Sequence, residues 1–528
     1  MDRRHNLLDE PWMPVRQTDG SVGSLSLLEV IRQSGEITAL AETAPPSLIA
    51  QYRLLLAIVH RALVRSRGTW KDSERVKWYQ QGLPVGELCD YLEWWRDRFW
   101  LCHPEHPFMQ VGALVSADET RDKRKPWTQM SLASANGNAP VVFDHAVDDE
   151  PNAIEWPAAL GHLLGYLQFT PGGLVKTLRD ADKAGALVNT AAVLPVGSTL
   201  AETLCLALHP APLPSAPSQD LPAWERAPLT LAELRGDPVL PAGPNDRYTR
   251  QSRAVLLDVD DEGRVRWLRF AAGWALGEDA QRPDPMACFR EGANGLVRVS
   301  FTEGRALWRD LPALVPAPQS GDKASFRPAA VVEAAAVLHA LMGRLLTHQP
   351  LLVAGLASDQ AKLLRWRMEQ FSLPQALLAE PDRARELKTH IARAEELHRL
   401  LRGLTTDVVA GTLPEPGNKD TRARARELVD RGPFTATYFA TAERELGALM
   451  ERIAQDDPGG AEALWQGALR RASELAWRRL VNGLGRSAQV LRSEALCTSR
   501  LQRLLRQQLP AAWPAASADI DHSSTQGA

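Results

Sequence analysis

The last third of the chain constrains the fold most, because strand patterns disappear there. After about residue 375, alanine, leucine, arginine and glutamate dominate, and apolar residues recur at helical spacing. We predict four helical segments, at about 375–412, 420–455, 461–483 and 486–508. The second is broken at Gly432 and Pro433, since proline disrupts a helix interior. Four amphipathic helices with short connections are expected to pack as an antiparallel bundle.

The preceding residues predict mixed α and β structure. Val255–Val259 and Arg264–Phe270 flank turn residues, which is typical of a β-hairpin, and Leu296–Phe301 alternates apolar and polar residues like a strand. The stretch from about 209 to 245 is rich in proline, so we expect a long surface connection without helix.

These patterns give the expected domain organisation. A chain of 528 residues is long enough for two or three domains. The expected fold class is α+β, with a large mixed α/β N-terminal domain followed by a C-terminal antiparallel four-helix bundle. We place the first domain at 1–374, the bundle at 375–514 and a disordered tail at 515–528.

Composition limits the function classes. The formal net charge is −3, so nucleic-acid binding would depend on local basic patches. No run reaches the roughly 18 apolar residues of a membrane span. The best candidate is a core helix that begins at Pro45 and Pro46, so we expect no membrane contact and a cytoplasmic protein. The five cysteines lack zinc-type spacing and do not form a disulfide framework pattern.

The most enzyme-like stretch is His103-Pro104-Glu105-His106. Helical zinc sites use histidines at i and i+4, whereas these stand at i and i+3 with a proline between them, and no third ligand is apparent. We therefore favour a tight turn over a metal site. No nucleophile elbow, phosphate-binding loop or dinucleotide fingerprint is present, so we expect no catalytic residue, no metal and no cofactor.

Three segments could contact a polar or anionic partner. Gly172 and Gly173 follow an apolar helix and precede Lys176 and Arg179; paired glycines allow close backbone approach, although the spacing alone favours a plain helix-terminating turn. A loop with Asn136, Gly137 and Asn138 reads as a tight turn. A third segment begins near residue 355. There we predict a helix capped by Ser358 or Asp359 and carrying Lys362, Arg365 and Arg367.

The last helix pair is basic. Nine arginines between 470 and 506 face only Glu474 and Glu494, a local charge of +7. Arginine suits phosphate contacts because its planar fork pairs with two phosphate oxygens. A solvated helix face and a phosphate-binding face both remain open, and Arg471, Arg478 and Arg479 are the candidates for phosphate contact.

Four motifs, in order, resemble those of the CasA family, the large subunits of type I-E CRISPR Cascade complexes. The chain opens with Asn6-Leu7-Leu8-Asp9-Glu10-Pro11-Trp12-Met13-Pro14-Val15, and His103 to Gln110 is similar to a second hallmark. The stretch from Asn136 to His145 is similar to a third, and Leu221 to Arg226 to a fourth. The resemblance covers nearly the whole chain.

The resemblance implies a DNA-recognition protein that is not an enzyme. Such a subunit recognises the protospacer-adjacent motif (PAM) in double-stranded target DNA, starts strand separation for R-loop formation, and offers a docking surface to the helicase-nuclease. Its other expected partners are the guide RNA and the backbone and small subunits of the complex.

The resemblance also assigns residues. The glycine loop of the PAM minor groove falls on Gly172 and Gly173, with Lys176 beside it, and the glutamine wedge falls on Gln360, preceded by Asp359. A basic finger that touches the PAM corresponds to Arg290 or Arg298. The loop of Asn136, Gly137 and Asn138 falls where the family contacts guide RNA and neighbouring subunits.

Two other hypotheses stay open. One is a metal-dependent hydrolase that uses His103, Glu105 and His106. The other is a structural helical scaffold that does not contact DNA.

Overall fold

The computed structural model describes residues 2–132, 150–173, 175–211, 219–278, 283–293, 295–315, 326–343, 348–359 and 362–513. The chain divides into two compact units, residues 1–379 and 380–528. The first unit mixes helices and strands and the second is helical, which confirms the predicted fold class. The expected tail at 515–528 lies outside the described residues.

The described elements of the first unit begin and end as follows. The helices are α1 (Leu27–Arg32), α2 (Pro45–Arg67), α3 (Asp72–Gln81), α4 (Val85–Trp94), α5 (Trp156–Phe169), α6 (Leu200–Ala207), α7 (Leu231–Arg235), α8 (Pro244–Tyr248), α9 (Ala330–Leu341) and α10 (Gln375–Ala379). The strands are β1 (Arg4–Asn6), β2 (Met13–Gln17), β3 (Val22–Leu25), β4 (Ile37–Leu40), β5 (Trp100–Cys102), β6 (Lys125–Pro126), β7 (Ile154–Glu155), β8 (Ala192–Pro195), β9 (Arg253–Val259), β10 (Arg264–Ala272), β11 (Phe289–Gly292), β12 (Gly295–Arg298), β13 (Phe326–Arg327), β14 (His348–Asp359) and β15 (Lys362–Pro374).

Helix α2 is the central helix of the first unit. Pro45 and Pro46 occupy its first turn, where the missing N–H groups cost no helical hydrogen bond. It packs against α4, α5 and α8. Among the described residues it is the one helix long and apolar enough to cross a membrane, and 94% of that window is buried inside the protein. Helix α2 is therefore buried in the way that is typical of a core helix.

The strands form several small sheets. The predicted hairpin is confirmed as β9 and β10, which pair antiparallel, and the predicted strand near 296 is confirmed as β12. Strand β14 lies between β15 and β8 in a three-stranded sheet. Leu351 and Val353 of β14 are fully buried there, so this sheet belongs to the core.

The helix predicted after Ser358 and Asp359 is wrong. Residues 348–359 and 362–374 instead pair as two long antiparallel strands, with Leu351 opposite Phe371 and Ala354 opposite Met368. Lys362, Arg365 and Arg367 are therefore strand residues, and no helix N-terminus exists at Ser358 or Asp359. Pairing of β14 with β8, which stands more than 150 residues earlier in the chain, decides the conformation. Such pairing overrides local propensity.

The expectation of no helix between 209 and 245 is also wrong. Helix α7 begins with a capping box, in which the Thr230 side chain accepts from the Glu233 N–H and the Glu233 carboxylate accepts from the Thr230 N–H. Helix α8 begins at Pro244, and proline is well suited to the first helical position. His209, Trp224 and Leu234 are buried, as are Asn245 to Tyr248 of α8, so the stretch contributes side chains to the core although most of its described residues are at least partly exposed.

The second unit is a helix bundle, as predicted. Its described α-helices are α11 (Pro381–Ala410), α12 (Lys419–Arg431), α13 (Phe434–Glu443), α14 (Leu446–Ala454), α15 (Pro458–Gly483) and α16 (Ala488–Gln508). The predicted break at Gly432 and Pro433 separates α12 from α13. Buried aromatic residues connect the helices: the Tyr438 hydroxyl donates to the Ala394 carbonyl over 3.0 Å, and Trp465 Nε1 donates to the His390 carbonyl over 2.8 Å.

Candidate nucleic-acid interface

The paired glycines lie on a loop that leaves the end of α5. Gly173 has φ +83°, a left-handed conformation that favours glycine. A Cβ atom added to Gly172 would lie 3.0 Å from the Ala184 nitrogen, so even a methyl group would crowd the opposite side of the loop. A Cβ on Gly173 would meet nothing within 4 Å, and this residue is exposed. We call residues 170–185 the glycine loop, of which Leu174 lies outside the described residues.

Backbone hydrogen bonds close the two ends of the glycine loop. The Gly173 N–H donates to the Asp182 carbonyl over 3.2 Å, and the Gly185 N–H donates to the Thr170 carbonyl over 2.9 Å. We call these four residues the neck of the loop. Gly172 is only partly accessible beside the exposed Gly173, so the two paired glycines differ in access.

The three basic residues of the glycine loop have different environments. Lys176 and Lys183 are exposed. Arg179 instead donates through Nη2 to the Leu234 carbonyl over 2.8 Å, so its guanidinium fixes the loop to the end of α7. Lys176 and Lys183 are therefore the basic side chains of this loop that a polyanion reaches more easily, and Lys176 is the one nearer the paired glycines in sequence.

The hairpin of β11 and β12 carries both candidates for the basic finger, and both are held at its base. Arg298 Nη1 donates to the Ala186 carbonyl over 3.2 Å, directly after the glycine loop. Arg290 Nη1 lies 3.6 Å from the Asp310 carboxylate. The turn between the strands contains Gly292 and Gly295 and no basic residue. Arg298 thus lies nearer the glycine loop, while the charge of Arg290 is partly neutralised.

The wedge candidate falls at the far end of the long hairpin. The backbone of Asp359 ends β14, opposite Lys362. The side chain of Asp359 and all of Gln360 lie outside the described residues. Asn136, Gly137 and Asn138 also lie outside them, but Leu132, shortly before that loop, accepts a hydrogen bond of 3.1 Å from Trp366 Nε1 of β15.

Strand β8 brings the three candidate segments of the first unit together. The glycine loop leads into β8 through Ala191, whose N–H donates to the Val299 carbonyl just after β12, over 2.8 Å. On its other edge β8 pairs with β14, with Ala192 opposite Ala354. Phe301 and Ala357 form a further bridge. The bases of the glycine loop, the β11–β12 hairpin and the long hairpin therefore adjoin one another.

The arginines of the last helix pair are mostly exposed, but some are paired. Arg471 Nη2 lies 2.8 Å from the Glu445 carboxylate, and Arg500 lies 3.0 Å from Asp407. Sequence separation hid these acidic neighbours, so the local charge is lower than the +7 counted along the chain. Arg478 and Arg479 are exposed, and no ion pair involves either among the described residues.

The opening and the fourth resemblance motifs build the core. Leu7 and Leu8 are fully buried, and Trp12 Nε1 donates to the Leu7 carbonyl over 3.2 Å. In the fourth motif, Trp224 Nε1 donates to the Tyr91 hydroxyl over 2.7 Å, and that hydroxyl donates to Glu225 over 2.6 Å. These hydrogen bonds join distant segments.

The histidine pair forms a turn, as expected. His103 Nδ1 accepts the N–H groups of Glu105 and His106, each over 3.1 Å. The two imidazole rings stack with centroids 3.7 Å apart. Phe108 and Gln110, which follow, are buried.

The structure adds a third polar group to this pair, which the sequence did not reveal. Asp97 Oδ2 lies 3.0 Å from His106 Nε2 and 3.6 Å from His103 Nε2, so three potential metal ligands cluster; Glu105 is exposed and is not one of them. However, His103 Nδ1 accepts two hydrogen bonds, and a neutral ring then carries its proton on Nε2. Burial lowers the pKa of His103 and favours this neutral form. Metal binding through Nε2 would cost both backbone hydrogen bonds.

We expect the purified chain to hydrolyse neither DNA nor RNA with Mg²⁺, Mn²⁺ or Zn²⁺ present. Coordination by His103 would cost the two backbone hydrogen bonds that its Nδ1 accepts, so the cluster is poorly suited to the open ligand set that metal-assisted hydrolysis requires. The measurement is a nuclease assay on the isolated chain together with metal analysis. Metal-dependent cleavage that disappears in a His106→Ala variant would contradict this expectation and support the hydrolase hypothesis.

Comparison with known proteins identifies the class and then the family. The family model for CRISPR-associated protein Cse1 matches residues 6–476. The CasA/Cse1 protein of Thermus thermophilus is 32% identical over 513 residues, 95% of this chain and 97% of that protein. The solved structure of Thermus thermophilus CasA matches with a TM-score of 0.80 and 30% identity, over 96% of this chain and 100% of that one. This is a CRISPR-associated protein, and the chain belongs to the Cse1 (CasA) family.

A more distant match shares the fold. A chain in a structure described as a CRISPR RNA-guided surveillance complex is 21% identical, with a TM-score of 0.74, over 95% of this chain and 100% of that one. The family resemblance predicted from the four sequence motifs is confirmed.

Proposed function

We propose that this chain is the large subunit of a type I-E CRISPR surveillance complex. In this proposal it recognises the PAM in duplex DNA, starts strand separation and provides a docking surface for the helicase-nuclease, without catalysing a reaction itself. Its partners are the guide RNA, the target DNA and the backbone and small subunits, in the cytoplasm. Family membership and the shared fold with a chain of a surveillance complex support assembly into such a complex.

The observation that supports DNA recognition most is the convergence of three segments around β8. The glycine loop, the hairpin with Arg298 and the long hairpin that ends beside Gln360 come from distant parts of the sequence, yet their bases adjoin. A PAM reader needs this arrangement, because groove contact and strand opening act on neighbouring base pairs.

The chemistry of the glycine loop suits a minor groove. That groove is about 6 Å wide and presents a degenerate pattern of donors and acceptors, so a reader there tolerates several sequences. Gly173 presents bare backbone at the surface, and Lys176 supplies a positive charge nearby. Small residues without side chains fit such a narrow groove, and lysine neutralises phosphate.

The wedge at Gln360 would act on the next base step. Inserting a side chain between base pairs costs about a few kcal/mol. Pairing of the guide with the target strand roughly balances the loss of the DNA duplex, so it offsets this cost once opening has begun. A net charge of −3 is compatible with the role, because the DNA contacts are local.

The test compares duplexes with and without a PAM. The complex assembled with this chain is expected to bind the PAM duplex more tightly than a PAM-less duplex of equal length, and the complex that lacks this chain should lose that preference. The measurement is a gel shift at fixed salt, since affinity depends steeply on salt concentration. Equal preference in both complexes would favour the structural scaffold that does not contact DNA.

A separate prediction concerns the arginines of the bundle. Replacing Arg471, Arg478 and Arg479 with alanine is expected to weaken binding of the displaced strand equally for all sequences. The slope of log affinity against log salt should fall by about 1.4 to 2, because each phosphate that the protein neutralises on a single strand adds about 0.7 to that slope and Arg471 contributes less while it pairs with Glu445. The measurement is a salt titration with single-stranded DNA of two unrelated sequences.

The control removes three arginines elsewhere on the same bundle. Arg399, Arg402 and Arg431 are each paired with a carboxylate, so their replacement by alanine matches the loss of charge. This control should leave the salt slope unchanged. A changed PAM preference in the first variant, or an equal loss of affinity in both, would contradict a strand-binding face at Arg471, Arg478 and Arg479.

A further inference from the structure

Arg253 begins β9, yet its side chain contacts the glycine loop, which stands about seventy residues earlier. The guanidinium is fully buried and forms an ion pair with the Asp182 carboxylate, whose side chain is also buried. Arg253 Nη1 donates to the Lys183 carbonyl over 2.6 Å, and Nη2 donates to the Pro171 carbonyl. The Arg253 side chain therefore connects the first and the last residues of the glycine loop at its neck.

A buried pair of this kind fixes geometry more than it adds stability. Removing two charges from water costs several kcal/mol per ion, and their attraction offsets that only when the surrounding hydrogen bonds are well placed. Here the carbonyls of Pro171 and Lys183 provide those bonds. An apolar pair would fill the same space but would not hold these two carbonyls at a fixed separation.

The rest of the loop shows where this constraint acts. Leu178 is buried in a hydrophobic cluster with Val111, Leu234 and Leu256, and the Thr177 carbonyl accepts from the Ala272 N–H over 3.1 Å. At the neck, a Cβ atom on Gly185 would lie 2.5 Å from the Gln168 carbonyl oxygen, so the backbone at Gly185 packs directly against the end of α5. Gly173 and Lys176 remain exposed. These contacts therefore hold the neck in place, and Lys176 projects beyond it.

We propose that Arg253 and Asp182 are a positioning pair, which holds the neck of the glycine loop and sets the direction in which Gly172 and Gly173 meet the DNA. This inference rests on the proposed function, since it assigns the pair to PAM contact. Neither residue touches DNA. The pair lowers the number of loop conformations that the protein samples before binding, so less of the binding free energy is lost to ordering the loop.

The structure offers a matched control pair. Arg53 and Asp284 are both fully buried in the same unit, and Arg53 Nη1 donates to Asp284 Oδ1 over 3.0 Å. Arg53 also donates to the Arg247 carbonyl, and no contact of this pair with the glycine loop occurs among the described residues. Asp284→Asn therefore breaks a buried arginine–aspartate pair of the same kind that does not contact the described residues of the glycine loop.

The first measurement is hydrogen exchange in the full chain. Asp182→Asn is expected to speed exchange of the Gly173 and Gly185 amides, which close the neck, by about tenfold or more, because local opening controls exchange of such amides. Asp284→Asn should leave these two amides unchanged. Arg253→Lys keeps the charge but cannot span three acceptors, so it should give an intermediate rate and serves if Asp182→Asn does not fold.

The second measurement is DNA binding by the assembled complex. If the competent loop conformation falls to about a tenth of the population, affinity for the PAM duplex falls about tenfold. Affinity for the PAM-less duplex should not change, and Asp284→Asn should change neither. A purely structural role would lower both affinities together, or neither.

The outcomes separate this inference from the proposed function. Unchanged exchange at Gly173 and Gly185 in Asp182→Asn overturns the positioning pair. Faster exchange with unchanged PAM affinity also overturns it, provided that Gly172→Asp abolishes PAM binding, and the proposed function then stands. If Gly172→Asp leaves PAM affinity intact, the proposed function fails and the link from the pair to DNA fails with it, whatever the exchange rates.

Discussion

Gly172→Asp is expected to lower the affinity of the assembled complex for PAM duplex by about 100-fold, because juxtaposed like charges at an interface cost several kcal/mol. In the proposed function, the substitution adds a negative charge to the loop that meets DNA phosphates. It also crowds the neck, since a Cβ atom at this position lies 3.0 Å from the Ala184 nitrogen. The measurement is equilibrium binding to duplexes with and without a PAM.

Gly172→Asn separates the two effects of this substitution. Asparagine has the size of aspartate without its charge, so the difference between the two variants reports electrostatic repulsion alone. Gly172→Ala reports crowding by a single methyl group. A target with a pre-opened bubble and an intact PAM should rescue Gly172→Asp poorly, because the defect precedes strand opening. Full rescue by the bubble would contradict a role in initial PAM contact.

Gln360→Ala is expected to slow R-loop formation on linear duplex by about tenfold, which corresponds to ~1.4 kcal/mol of the few kcal/mol that unstacking a base step costs. Negative supercoiling, or a bubble beside the PAM, should restore much of the rate, since each supplies the opening energy by another route. The measurement is the R-loop rate on closed linear, supercoiled and bubbled targets.

Gln370→Ala is the matched control for the wedge. Gln370 is an exposed glutamine of the same hairpin, opposite Leu352 and far from the residue where β14 ends. Its replacement should leave all three rates unchanged. Equal rescue of Gly172→Asp and Gln360→Ala on the bubbled target, or no effect of Gln360→Ala on any target, would contradict the division of labour between the glycine loop and the wedge.

Local patterns predicted the bundle well. Helical periodicity and the break at Gly432 and Pro433 are both short-range signals, and α15 and α16 begin and end close to the predicted residues, although the second break, at Arg444 and Glu445, was not predicted. The hairpin of β9 and β10 was equally visible, because its strands flank a short turn. In each case the partners that determine the conformation are neighbours in sequence.

Sequence patterns gave wrong predictions where residues distant in the chain determine the local conformation. Residues 362–374 have spacing that also fits a helix, and only the pairing of β14 with both β15 and β8 makes them a strand. In the proline-rich stretch, composition indicated a surface connection, but capping and tertiary packing produced α7 and α8 and buried Trp224.

The candidate interface likewise combines features that are visible in the sequence with contacts that only the fold creates. The sequence itself contained the family motifs, because each is a short run of adjacent residues, and the resemblance that they carry named the paired glycines and Gln360 as candidates, which stay predictions. It did not reveal Asp97 beside the histidines, Glu445 beside Arg471, or Arg253 beneath the glycine loop. An ion pair across about seventy residues has no periodic signature; it exists because the fold encloses both charges, and burial makes each charge depend on its partner.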